Sequence, residues 1–491
     1  MKTGVLTLQQ YDVLIIGGGI TGCVRARELS RYRLSLAVCE SAPDLATGST
    51  KANGGLIHPG YDPHPGTLKA LLNSKGCLMY PEFAAQLGFH YDRTGSMVVG
   101  FTEKDREFLQ KLYHQGLENG VPQLELVGGK RIFELEPQTN PDAKYALYTP
   151  VCGVVDPFEV TYACAENAAA NGVEFYLASP VTAIRREEGA FTVTVPSGEI
   201  RASVLVNAAG IHADDVARLA GADEFNIAAR HGDLLVMDKD SGVDVQHLMT
   251  LYPIPTEETK GVVLMKTVSG NVLVGSSAAM RGKDDVGNYR EGVDQLLAGA
   301  NRLVPGLKLN KVIRTFAGSR AVVEGNHNDF YIRPSQKVPG LFHVAGIQSP
   351  GVASSPAIAA YVAQMLKACG VKLEEREDFL PTRSMPADFS AMSPEEQNEM
   401  IRKNPLYGRL VCRCECVTEG EIVDAIHRVP GPVTVDGVKR RTRAGMGRCQ
   451  GGFCQQKVLS ILARELGCEP EDVVKEKSGS QIVFSKLKEG C

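Results

Sequence analysis

The chain has 491 residues, 43% of them hydrophobic and 22% charged, and its 53 Lys+Arg against 57 Asp+Glu leave a formal net charge of −4. That length carries apolar material for about three domains, and the near-neutral balance lacks the basic footprint with which a protein tracks a nucleic-acid backbone. No run approaches the ~20 apolar residues of a spanning helix, and the start shows no secretory leader, so the chain is expected to be cytoplasmic, peripheral to a membrane only through a partner.

Residues 11–16, YDVLII, read as a buried strand that passes into GGGITG and then the helical stretch CVRARELSRY. Gly17, Gly19 and Gly22 thus form G-x-G-x-x-G between strand and helix. The first glycine permits the tight turn, the second lets a pyrophosphate approach the backbone, and the third lets helix and strand pack closely. The next strand-like run ends at Glu40, about 20 residues on, where an acid can bind ribose hydroxyls. A tight turn in an unrelated α/β protein is the alternative. His58 follows the apolar pair Leu56-Ile57. Its imidazole, with an unperturbed pKa of ~6.5, suits a base near neutral pH; a core histidine bonded to a backbone carbonyl is the plainer reading. Arg320 lies in a strand-like run, where a guanidinium can grip an anionic substrate bidentately or form an ordinary surface salt bridge. Tyr61 and Lys69 are weaker substrate-binding candidates.

Up to about residue 372 Gly-rich strand-like runs alternate with amphipathic stretches, as in α/β folds. Residues 373–408 are charged, Pro-containing and weakly periodic, as a linker is. Seven of the 13 cysteines then fall between Cys412 and Cys491, a clustering that indicates a metal or redox site rather than a disulfide framework. The six others, Cys23, Cys39, Cys77, Cys152, Cys164 and Cys369, sit singly among apolar residues, and most of them read as small core side chains. Thr418 and Glu421 read as a capping box opening a helix with Ile422, Ile426 and Val429 on one face. Cys454 opens a second helix with Val458, Leu459, Leu462 and Leu466 inward, and Gly467 ends it. Cys412, Cys414, Cys449 and Cys454 come to the ends of these helices, as ligands for zinc or an iron–sulfur centre. Cys416 is an extra thiol. The basic run 439–443 reads equally as a solvated face or as charge that raises the potential of a nearby cluster or docks an acidic partner.

Beyond the glycine turn, the loop ATGSTKANGGLIHPGYDPHPGTLKA (46–70), VLVNAAGIHADDVARLAG (204–221) and LFHVAGIQSPGVASSPAIAAYVAQML (341–366) resemble the D-amino-acid-oxidase superfamily of flavoproteins. The resemblance implies FAD held by Gly17, Gly19, Gly22 and Glu40, by Thr47, Gly48, Ser49, Lys51 and Asn53, and by Val181, Gly210, Gly346 and Gly351. It implies an α/β fold: a Rossmann-like FAD domain (about 1–75, 151–215 and 321–372) with an inserted α+β substrate domain (about 76–150 and 216–320). A small helical domain follows at 409–491. Its stretch RRTRAGMGRCQGGFC resembles the [2Fe-2S] domain of bacterioferritin-associated ferredoxin, appended to the anaerobic glycerol-3-phosphate dehydrogenase catalytic subunit. The architecture and VVDPFEV (154–160) resemble that enzyme, whereas GGLIHPGYDPHPGTLKA and GIQSPGVASSPAIA resemble L-2-hydroxyglutarate dehydrogenase. Where the glycerol-phosphate enzyme carries basic residues, this chain has Gly346-Ile347-Gln348-Ser349, which favours a carboxylate substrate. The expectation is therefore an FAD-dependent dehydrogenase of a small anionic 2-hydroxy acid such as L-2-hydroxyglutarate. His58 takes the hydroxyl proton, Arg320 anchors the anion, and electrons pass through a [2Fe-2S] cluster on Cys412, Cys414, Cys449 and Cys454 to an electron-accepting flavoprotein or quinone-linked subunit. Glycerol 3-phosphate and an amine or amino acid are the alternative substrates, and a non-enzymatic iron–sulfur scaffold is the alternative outside catalysis.

Overall fold

A computed structural model describes residues 9–255 and 261–485; Cys491 lies outside the described residues. The strand Gln9–Ile16 is fully buried at Val13, Leu14 and Ile15. It pairs in parallel with Leu36–Cys39 on one side and Gly198–Asn207 on the other. Glu174–Tyr176 and Leu341–Ala345 extend the parallel set outward. Near-continuous apolar runs are what a parallel sheet covered on both faces requires. Helices Ile20–Leu29, Pro157–Ala170 and Gly351–Ala368 pack together against it. Two glycines are forced at its ligand-facing end. A Cβ on Gly22 would stand 1.9 Å from the Gly17 carbonyl oxygen, and Gly17, at φ +117°, would meet the Ala208 oxygen at 2.4 Å. Helix and strand therefore close only without side chains there.

A second, largely antiparallel sheet is built on two long partners, Ile227–Met237 and Val312–Val323. Their register sets Arg230 opposite Arg320. Buried Met97, Leu235, Leu251, Leu264 and Val274 form its apolar face, onto which helix Arg290–Leu303 lays Leu296, Ala300 and Leu303. The molecule has the mixed α/β fold that the sequence indicated.

At the C-terminal end, helices Glu419–Ile426, Val435–Thr442 and Gln455–Leu466 close around Ile422, Val438, Val458 and Leu462. The capping box on Thr418 and the stop at Gly467, φ +65°, are present. Two side chains expected inward are not. Val429 lies beyond the end of its helix and is 70% exposed, and Leu466 is 40% exposed in the last turn of its helix. Of the six single cysteines, Cys23, Cys39, Cys77, Cys152 and Cys164 are buried as expected of most of them, and Cys369 is exposed at a helix end. Within 373–408 the capping box of Ser393 and Glu396 opens helix Pro394–Lys403, and Arg376 and Arg383 fasten the stretch to the Asn171 carbonyl and to Glu166.

The basic run is neither a solvated face nor an external dock at its centre. Arg441 donates two bonds of 2.8 Å to the Asp44 carboxylate, which is fully buried, and Arg440 adds one at 3.2 Å and another to the Tyr162 hydroxyl at 3.0 Å. Arg441 also stacks on the Tyr162 ring at 3.8 Å. Burial pushes the Asp44 carboxyl upward, but Arg441 beside it more than compensates, leaving it below the usual carboxylate range. The run thus clamps the C-terminal helices onto the first sheet's domain.

Candidate active site and cysteine pocket

Between the two sheets runs a cavity of about 1120 Å³, more than the ~300–1,000 Å³ of most ligand pockets. Of the residues the sequence assigned to the cofactor, Gly17, Gly19, Glu40, Thr47, Gly48, Ser49, Lys51, Asn53, Val181, Gly210 and Gly351 line it. Gly22 and Gly346 do not. The first is pressed against the Gly17 carbonyl, and the second, at φ +65°, turns the chain toward Ile347 and Gln348, which do reach the cavity. Glu40 accepts from the Gly18 and Ala42 N–H groups at 2.7 and 2.8 Å, and burial holds its pKa above the ordinary value against those bonds. The helix Ile20–Leu29 has no side-chain cap of its own; Thr50, which sequence reading passed over, accepts the Ile20 N–H at 3.0 Å from the facing loop. Asn53 holds that loop shut, donating to the Ser49 and Thr50 carbonyls. A helix N-terminus above glycine backbone, an acid at the second strand's end and a cavity of this size fit an FAD.

Both substrate-side candidates reach the same cavity. His58 Nε2 stands 3.3 Å from the Ser349 hydroxyl and Nδ1 2.9 Å from the Tyr252 hydroxyl, so its ring meets side chains where the plainer reading had a backbone carbonyl. Tyr252 is buried and its phenol pKa is pushed far up by desolvation, so it stays neutral. Arg320 donates to the carbonyls of Ser277 at 2.6 Å, His231 at 3.3 Å and Arg230 at 3.3 Å, with no carboxylate partner among the described residues. Burial, with Arg230 alongside, pushes its pKa down to about 10, so it stays charged near neutrality. The surface salt bridge is therefore not what Arg320 makes. Arg230 donates to Asn328 at 2.8 Å and to Gln348 at 3.2 Å. No sequence motif marks Arg230; only the strand register brings it beside Arg320.

The weaker candidates lie elsewhere. Tyr61 lines a chamber of about 10 Å³ behind His58, with Asn73 and Tyr252, and not the main cavity. Lys69, at the start of helix Leu68–Leu87, is buried and its ammonium donates to the Asn328 carbonyl. Lys51 lines the cavity but its ammonium sits 2.5 Å from Glu476 of the C-terminal tail, a carboxylate that Arg440 also holds at 2.8 Å.

In the C-terminal domain Cys412 and Cys454 are buried, Cys414 is exposed, and its sulfur is 3.6 Å from that of Cys449. Burial raises the Cys449 thiol, but the Cys414 thiol and the N–H groups of Gly451, Phe453 and Gly452 turned toward it leave it below its ordinary pKa. Burial and the neighbouring sulfurs push Cys454 up to about 12. Four thiols crowded this way become thiolates together only around a cation, and backbone N–H groups aimed at sulfur are the surroundings an iron–sulfur centre takes. Cys416 stands apart, its thiol directed at the Arg413 carbonyl.

Residues 12–365 match the family model of FAD dependent oxidoreductases, and residues 410–464 match that of the BFD-like [2Fe-2S] binding domain. The chain belongs to the FAD-dependent oxidoreductase family and carries a [2Fe-2S] domain at its C-terminal end, which sets zinc aside. It is 41% identical to a glycerol 3-phosphate dehydrogenase of Caloramator mitchellensis over 97% of this chain and 99% of that one. An L-2-hydroxyglutarate dehydrogenase of Caenorhabditis elegans is 28% identical over 72% of this chain and 92% of its own. Among solved structures, the dithionite-reduced L-α-glycerophosphate oxidase of Mycoplasma pneumoniae with FAD bound superposes with a TM-score of 0.73 at 28% identity, over 77% of this chain and all of that one. These likenesses overturn the expectation of a 2-hydroxy acid. The expectation leaned on the window 346–349, which has no basic residue of its own but whose Gln348 accepts a bond from Arg230 at 3.2 Å. No helix among the described residues is long and apolar enough to cross a membrane.

Proposed function

We propose that this chain is a glycerol-3-phosphate dehydrogenase that oxidises the secondary alcohol and sends the electrons out through its [2Fe-2S] domain to a redox partner. The observation that carries this reading is Arg320 and His58 in one cavity, with Arg230 paired across the strands from Arg320 and bonded to Gln348, which lines that cavity. Two guanidiniums suit the doubly charged phosphate better than a single carboxylate. Bound FAD supplies the hydride acceptor. His58 is assigned as the base: with Nδ1–H donating to the Tyr252 oxygen, Nε2 is left as the acceptor for the substrate hydroxyl proton. Ser349 donates to Nε2 at rest and yields that place to the alcohol. Arg320, held by three carbonyls, anchors the phosphate, with Arg230 presented by Asn328 and Gln348. The glycines, Glu40 and loop 47–53 hold the cofactor, and Cys412, Cys414, Cys449 and Cys454 hold the cluster. We assign the first sheet's segments to an FAD domain interrupted by a substrate domain built on the second sheet, supported by the way the strands sort between them.

Anaerobic assays with an artificial one-electron acceptor test the reading on a panel of glycerol 3-phosphate, 2-hydroxy acids and amino acids. Turnover is expected on glycerol 3-phosphate with bleaching of the flavin band. Bleaching by 2-hydroxyglutarate or an amino acid, with glycerol 3-phosphate inert, would overturn it.

A further inference from the structure

Phe453 stands between the ligand candidates Cys449 and Cys454 and is 85% exposed, more than any other large apolar side chain among the described residues. Gly452 beside it and Cys414 across the pocket are exposed too. The exposed charges nearest this spot are basic. Arg413 lies between Cys412 and Cys414, Arg448 precedes Cys449, and Lys457 is in the first turn of the helix that follows Cys454; all three are exposed. Arg448 is paired with Asp238 at 2.9 Å, whereas Arg413 and Lys457 have no ion-pair partner among the described residues. The carboxylates of the same stretch are turned away: Glu415 is nearly buried on Arg443, and Glu419 lies between Arg409 and Arg464. In a chain of net charge −4, this is a local reversal of sign.

We propose that Phe453, ringed by Arg413, Arg448 and Lys457, is the docking surface on which an acidic one-electron redox protein seats itself over the cysteine pocket. An aromatic anchor inside a charged rim is the anatomy of a protein interface, and a rim of one sign steers and orients an oppositely charged partner. A second copy of the chain is a poor occupant, because self-docking would oppose like charges. The electrons balance when two partner molecules each accept one for every alcohol oxidised. The proposal rests on the reading that the [2Fe-2S] domain is the electron outlet.

The test uses the full-length holoprotein and a strongly acidic plant-type ferredoxin as probe, with binding measured by calorimetry. Binding is expected at about 20 mM salt and about tenfold weaker at about 200 mM. Phe453→Ser and Lys457→Glu are each expected to weaken it about tenfold, with the cluster absorbance and the rate of substrate-driven flavin bleaching unchanged. Absent or salt-independent binding, or variants that bind like the unaltered protein, would overturn the surface. So would adsorption to phosphatidylglycerol vesicles with the ferredoxin ignored, which would make this a membrane-facing patch. Substrate-driven bleaching of the cluster band without any acceptor tests the underlying reading separately. If that band stays unbleached while ferredoxin binds, the outlet reading fails and the surface stands.

Discussion

At the residue scale the proposed chemistry turns on three side chains. His58 and Arg320 are legible in the sequence because they sit in loops and strands resembling a known flavoprotein site; Arg230 is not, because its significance exists only after two strands pair. His58→Asn removes the base and keeps a similar shape, so kcat should fall by about 10²–10⁴-fold while FAD stays bound, as read from the flavin absorbance of the purified variant. An unchanged kcat would take His58 out of the proton transfer. Arg230→Gln removes one charge from the proposed anion site without touching the proposed base. Its expected effect is a rise in KM for glycerol 3-phosphate worth about 1.5–3 kcal/mol, the range of a hydrogen bond to a charged group, with kcat changed little. Arg230→Lys should recover part of the loss through charge alone, but not the planar, two-pronged geometry.

Among the elements, the parallel strands, the glycine turn and both helix-capping signals of the C-terminal domain can be read from local pattern. The helix Val435–Thr442 carries the basic run, and nothing in that run says it faces inward, because its partner Asp44 is almost 400 residues away. Val429 and Leu466 differ from the pattern for a related reason: periodicity shows neither that a helix stops at Ile426, short of Val429, nor that nothing covers the last turn at Leu466. The buried clamp has a measurable consequence. Asp44→Ala leaves Arg440 and Arg441 buried without that carboxylate, so stability should fall by about 3–5 kcal/mol, seen as a lower urea midpoint of the transition that includes the C-terminal helices. Strand Leu341–Ala345 offers a second probe. His343 is fully buried, and burial, opposed by Glu224 and joined by Arg333, lowers its pKa to about 4. The unfolded chain, with a histidine near 6.5, then binds the extra proton first. Its contribution is complete above about pH 6.5 and is lost as pH falls toward 4, amounting to ~3 kcal/mol. His343→Gln should flatten the stability profile within that window; a profile unchanged from the parent would place the acid sensitivity elsewhere.

Over the whole molecule, the C-terminal tail ties the large cavity to the [2Fe-2S] domain. Lys51 belongs to the loop expected to hold FAD, Arg440 to the [2Fe-2S] domain, and the tail residue Glu476 bonds both; Glu476 and Lys477 themselves line the large cavity. The sequence shows two modules and a connecting stretch, and the order of the modules is legible, but their docking is not, since ion pairs between distant segments leave no local pattern. The arrangement makes the C-terminal tail part of the enclosure of the cavity proposed to hold the flavin. Glu476→Gln keeps the shape of that wall and removes the charge that Lys51 and Arg440 have in common. Lys51 is then released toward solvent and the tail loses its hold on the loop. Flavin should escape faster on dilution, followed by the fluorescence that free FAD regains, and amide exchange in residues 474–480 should quicken in step. Flavin release at the parent rate with the tail exchanging faster would mean that the tail covers the cavity without retaining what lies in it.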